Sequence, residues 1–204
     1  MRYALMFVLL LLSACNPSGS RPPAAPEGPE YAQVGNWQGG SAAVAARFYG
    51  SGGAAEVASG TVSAGGGLEF TLKPVSDAQL TGFSACPSVT VSDPALRLNS
   101  FSALAVVDGG VQRGRVALAS SAAVVSEGLT AVGDLYLQYT YADRAARISG
   151  SCAVGGAPGT FSYALELRPG WNPVVFRLTG DGVLQLSTEA VPAGAAWFFS
   201  EDAR

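Results

Sequence analysis

Three stretches constrain this chain more than any others: Leu135, Leu137, Tyr139 and Tyr141; Phe161, Tyr163, Leu165 and Leu167; Val174, Phe176 and Leu178. In each, large apolar residues recur at every second position with smaller or polar residues between. That is the period of a β-strand, whose successive side chains leave on opposite faces, and not that of a helix. Each segment is therefore expected to present one inward face. Further candidate strands are 41–49, 55–63, 68–73, 87–92, 101–107, 111–119, 145–150, 183–188 and 195–200. Turn signals bound them: Gly50 to Gly53, Gly65 to Gly67, Asp108-Gly109-Gly110, Gly155-Gly156 and Asp181-Gly182. About a dozen short antiparallel strands at close spacing predict an all-β fold, a β-sandwich built as one body or as two packed β subdomains.

Helix is expected to be scarce. Asp93-Pro94-Ala95-Leu96-Arg97 offers an N-cap followed by proline at the first helical position, enough for one turn. Ser121 to Glu127, ended by Gly128, is a second short candidate. The stretch Gly60–Leu72 (GTVSAGGGLEFTL) resembles the strand-turn-strand of small bacterial Ig-like or transthyretin-like spacer domains, a likeness confined to residues 37–74.

The first fifteen residues carry an address. Arg2 precedes the apolar run Tyr3–Leu12, which matches the charged and hydrophobic regions of an export signal and is much shorter than the ~20 residues a membrane-spanning helix needs. Leu12-Ser13-Ala14-Cys15 then resembles the lipobox of signal peptidase II substrates in bacterial lipoproteins. The resemblance implies that residues 1–14 are removed and that Cys15 becomes the lipidated first residue of the mature chain. Two or three acyl chains hold a protein on a bilayer for long times, whereas one holds it marginally. Residues 15–30, with five of the chain's 12 prolines and no large apolar side chain, are expected to form a tether with a reach of ~45 Å in polyproline II geometry. Residues 31–204 would be the folded domain. Asn16, where aspartate signals inner-membrane retention in well-studied sorting systems, favours an outer-membrane location facing away from the cytoplasm if the source is diderm.

Cysteine parity adds to this setting. With Cys15 committed to lipid, Cys86 and Cys152 remain, an even number in an exported, oxidising environment, and are expected to form a disulfide. The loop of about 66 residues that it closes is assigned ~4 kcal/mol by the chain-entropy argument.

Composition closes off several function classes. The chain has 12 basic and 15 acidic residues, and removal of Arg2 makes the balance more acidic. With one lysine, Lys73, and scattered arginines, it lacks the clustered cations that nucleic acid requires. With no histidine and no Gly-x-Ser-x-Gly elbow, hydrolytic triads fail. Lys73, at a strand end, reads as a solvated charge and not as the base of a Ser-Lys dyad. Glu69, Asp143, Glu166 and Asp181 would have to meet in space for carboxylate-pair hydrolysis, and each reads instead as a solvated side chain beside a turn or on a polar strand face. No metal site and no cofactor are expected. Gly50-Ser51-Gly52-Gly53 reads as a hairpin turn because no amphipathic helix follows it.

Aromatic residues are the remaining candidates for recognition. Trp37, Tyr49, Tyr136, Trp171 and Trp197 are rigid side chains able to stack on sugar rings or anchor a protein. Trp197-Phe198-Phe199 reads as a last strand pinned in the core, and Gly170-Trp171-Asn172-Pro173 as a turn whose tryptophan caps the sandwich. Trp171 and Tyr136 are kept as candidate binding residues. The expectation for the whole chain is a lipid-anchored, non-enzymatic envelope protein of structural or interaction role. The alternatives are a module that binds carbohydrate or cell-wall glycan, or an Asp/Glu-dependent envelope hydrolase.

Overall fold

The computed structural model describes residues 29–84, 86–153 and 159–202, with the backbone alone for Asp181. The signal, Cys15, residues 16–28 of the expected tether and the Gly155-Gly156 turn lie outside the described residues. In chain order the strands are β1 (Pro29–Gln33), β2 (Ala42–Gly50), β3 (Gly53–Val62), β4 (Gly67–Leu72), β5 (Thr81–Gly82), β6 (Val89–Val91), β7 (Arg97–Phe101) and β8 (Leu104–Asp108). They continue as β9 (Val111–Ala119), β10 (Leu135–Ala142), β11 (Ala146–Ala153), β12 (Thr160–Leu167), β13 (Gly170–Leu178), β14 (Val183–Ser187) and β15 (Ala196–Glu201). One helix of six residues, α1 (Ala122–Glu127), interrupts them. The fold is all-β, in the manner of a sandwich.

The strands form one hydrogen-bonded sheet that turns back on itself. Its path runs β1-β4-β3-β2-β8-β9, and β9 pairs along its other edge with β15. Just beyond β1, Val34 bridges Trp197 of β15 in parallel, and Gly35 donates its N–H to the Trp197 carbonyl at 2.9 Å. One bridge and one hydrogen bond thereby link the two ends of this run of strands. The Asp108-Gly109-Gly110-Val111 turn joins β8 to β9 with positive φ at both glycines (58° and 80°), the backbone that a two-residue hairpin turn requires.

Inside lies a core of Val44, Phe48, Val57, Leu68, Phe70, Leu104, Val116, Leu137, Tyr139 and Trp197 with their neighbours. The path continues from β9 through β10 to β13, β14, β12, β11 and β6, where a second core gathers Leu96, Ala146, Ile148, Leu165, Leu167, Val174 and Leu186. β10 and β13 belong to both halves. Odd-numbered Leu135, Leu137 and Tyr139 face the first core with Val175, while Ala142 and Val174 face the second. These two strands bury both faces, whereas alternation alone indicates one inward face each.

Several local expectations are corrected. β1 begins at Pro29, inside the segment read as tether, because Glu30 and Ala32 find an inward face and all five residues pair with β4. The 101–107 segment divides into β7 and β8. Asp93–Arg97 makes one hydrogen-bonded turn, the Leu96 N–H donating to the Asp93 carbonyl at 3.1 Å and the Ala95 N–H to Asp93 Oδ1 at 2.9 Å, but it does not propagate into a helix and the chain continues directly into β7. Gly170–Pro173 is no loop but the start of β13, paired with Tyr139–Ala142 of β10. Not every pair is antiparallel, since β14 inserts between β13 and β12 and runs parallel to β12. The α1 expectation is met, with the Ser121 hydroxyl accepting from the Val124 N–H at 3.3 Å. Cys86 and Cys152 lie at disulfide distance, with Cα atoms 6.1 Å apart.

Candidate functional site

The segment from Val34 to Ser41 leads from β1 to β2 and builds the wall of a groove. Two backbone contacts fix its start, the Gly35 bond to Trp197 and the Val34 N–H donated to Gly66 at 2.9 Å. Asn36 then acts as a substitute strand: its Nδ2 donates to the Phe199 carbonyl at 2.8 Å, and its Oδ1 accepts the Phe199 N–H at 2.7 Å. With Asn36 pinned, Trp37 is placed edge-to-face against Phe199, ring centroids 5.0 Å apart at 79°. Gly39 closes over the indole so tightly that a Cβ there would lie 2.7 Å from Trp37 Cζ2. Trp37 Nε1, shielded from solvent, has no hydrogen-bond partner among the described residues.

The opposite wall comes from the β8–β9 hairpin and the end of β15, which bring Asp108, Arg113 and Glu201 to the same groove. Its volume is about 590 Å³, inside the ~300–1,000 Å³ range of small-molecule sites. Arg113 Nε lies 3.7 Å from Asp108 Oδ2, both side chains being more than half exposed. Glu201 has no cationic partner among the described residues. An aromatic floor, two carboxylates, one guanidinium and the Gln38 amide thus line one concavity, an arrangement suited to recognising a polar ligand that also carries an apolar face.

The residues singled out from the sequence lie elsewhere, Trp37 excepted. Trp171 is half-buried against Phe48, Phe101 and Tyr141, at centroid distances of 5.8, 5.6 and 5.3 Å, and its indole N–H donates to the Lys73 carbonyl at 2.9 Å. Tyr136 stacks on Phe176 at 4.8 Å and lines a separate groove of about 370 Å³ between α1 and β9, together with Arg115, Val124 and Val125. Burial raises its phenol pKa. Arg115 is engaged there, donating to the Val125 carbonyl at the end of α1. Trp197 is buried in the first core. Tyr31 and Tyr49 are 71% and 74% exposed on the outer face of β1 and β2.

The described carboxylates weighed for hydrolysis have separate surroundings. Asp143 accepts from Arg144 and Arg97, chiefly Arg144, and this holds its pKa down to about 2. Glu166 pairs with Arg147 at 2.6 Å, and Glu69 is exposed on the outer face of β4. Lys73 is ion-paired with Glu56. Among the described residues, no three His, Cys, Asp or Glu side chains gather as metal ligands.

Arg113, Phe199 and Glu201 escaped sequence reasoning as site residues. Only tertiary pairing of β15 with β9 and docking of Asn36 on β15 bring them beside Trp37. Comparison with family profiles, curated proteins and solved structures yields no match.

Proposed function

We propose that this chain is a bacterial envelope lipoprotein, held by lipid on Cys15 and displaying a β domain that acts through structure or binding and not through catalysis. The observation that carries the reading is Leu12-Ser13-Ala14-Cys15 directly after the Tyr3–Leu12 apolar run. Among the described residues no helix is long and apolar enough to cross a membrane. Two features support the reading. The two remaining cysteines lie at disulfide distance, which fits an oxidising compartment. Asp143, whose side chain is nearly buried, and Glu166, which is exposed, are each held by their own arginine partners, which fits separate structural ion pairs better than a shared catalytic cleft.

The test is metabolic labelling with a palmitate analogue. Wild type is expected to carry label and to fractionate with membranes. Cys15→Ser is expected to lose the label and to be released or stall as precursor. Label retained on Cys15→Ser refutes the anchor. Within the binding reading, the groove between Trp37 and Glu201 favours a carbohydrate ligand.

A further inference from the structure

We infer that the groove formed by Trp37, Phe199, Asp108, Arg113 and Glu201 is a binding site for a neutral saccharide. The inference rests on the binding role proposed above and names its site and ligand class. Four classes of occupant meet the same walls differently. An added peptide strand needs the free edge of β15, and at Phe199 that edge is already taken, N–H and carbonyl alike, by the Asn36 side chain. An anionic ligand meets two carboxylates and one arginine, the arginine lying 3.7 Å from Asp108, so the local balance repels it. A wholly apolar ligand would have to desolvate Asp108, Arg113 and Glu201 without hydrogen-bonding any of them. A pyranose fits all the walls. Its C–H face lies against aromatic rings, and its hydroxyls both donate to carboxylates and accept from a guanidinium or an amide.

The scaffold favours precise placement. The aromatic floor is locked by the Asn36 bonds and by the 5.0 Å Trp37–Phe199 contact, so little conformational freedom remains to be lost on binding. Asp108 and Arg113 flank a tight hairpin, and Glu201 ends a strand fully paired to β9. The whole Gly35–Ser41 segment, Trp37 included, lies outside the strands, and the Asn36 bonds and the Phe199 contact are what hold its first half.

The test is isothermal calorimetry on the full-length chain in a zwitterionic, non-glycosidic detergent. The probes are the N-acetylglucosamine trimer, cellotriose, maltotriose and, as the anionic counterpart, trigalacturonate. Saturable binding of at least one neutral trimer is expected, together with loss of about tenfold or more in affinity for both Glu201→Gln and Arg113→Gln, since each removes a charge-assisted hydrogen bond. Both side chains are exposed, so both variants are expected to keep the wild-type melting curve; Trp37→Ala, which disturbs the Phe199 contact, is the less clean variant. No heat from any neutral trimer up to about 10 mM overturns the site. Equal affinity in wild type and in both variants also overturns it, as does trigalacturonate binding as tightly as the neutral trimers. Each of these failures is independent of the Cys15 labelling result, so the ligand and the anchor are refuted separately.

Discussion

Replacing Trp197 by alanine removes the side chain at the seam where the sheet closes on itself. Trp197 is 7% exposed, packs edge-to-face on Phe70 at 5.4 Å, and sits where Val34 bridges β15. A tryptophan buries ~150–250 Å², and at ~25 cal/mol per Å² its transfer is worth about 4–6 kcal/mol if burial is complete. The edge-to-face pair adds ~0.5–1.5 kcal/mol, while partial collapse of the cavity returns some of the loss. The net expectation is a loss of about 3–5 kcal/mol, a large share of the ~5–15 kcal/mol that stabilises a typical domain. The bridge and the Gly35 bond use the backbone of Trp197, so the variant isolates the side chain. Urea unfolding followed by circular dichroism under non-reducing conditions measures it. With a slope of ~2 kcal/mol per molar, the midpoint is expected to fall by roughly 2 M. Tyr49→Ala, at a position 74% exposed, is the control and is expected within about 0.5 kcal/mol of wild type. A Trp197→Ala midpoint as little displaced as that of Tyr49→Ala would refute the argument that the seam rests on this residue.

Two further perturbations address particular contacts. Glu30 accepts from the Tyr139 hydroxyl at 2.7 Å, but burial raises its pKa above its ordinary value of 4.5, so the fold favours the protonated acid. Its contribution to stability is full below about pH 4.5 and is lost as pH rises through the higher folded-state value. Glu30→Gln, which keeps an acceptor for Tyr139 without the charge, is therefore expected to raise stability at pH 7 by about 1 kcal/mol or less, with the gain vanishing near pH 4; destabilisation at pH 7 in thermal melts would contradict this. Gly60 approaches β4 so closely that a Cβ would lie 1.9 Å from the Glu69 carbonyl oxygen and 2.5 Å from Phe70 Cα, both backbone atoms. Gly60→Ala is expected to cost about 1–3 kcal/mol, and an unchanged Tm would show that the β3–β4 pair yields easily.

The strands were legible because their signal is local. Side chains alternate along any extended backbone, so Leu135–Tyr141 and Phe161–Leu167 declared their period without reference to partners, and β10 and β12 occupy those segments. The glycine turn between β8 and β9 and the Ser121 cap of α1 were legible for the same reason, since both depend on a few adjacent dihedrals. Partner choice is not local. Nothing in Val183–Ser187 alone places β14 between β13 and β12, parallel to the latter, and nothing around Pro29 shows that Glu30 will meet Tyr139 across the first core. The glycine and proline that flank Trp171 are turn signals, and pairing with Tyr141 overrides them. The groove follows the same division. Trp37 was visible as an aromatic residue, but Arg113, Phe199 and Glu201 became its neighbours only when β15 paired with β9 and Asn36 docked on β15. Periodicity and turn chemistry are written into short stretches by backbone sterics; which distant faces meet is decided by burial summed over the whole chain, and in this protein that sum placed the candidate site.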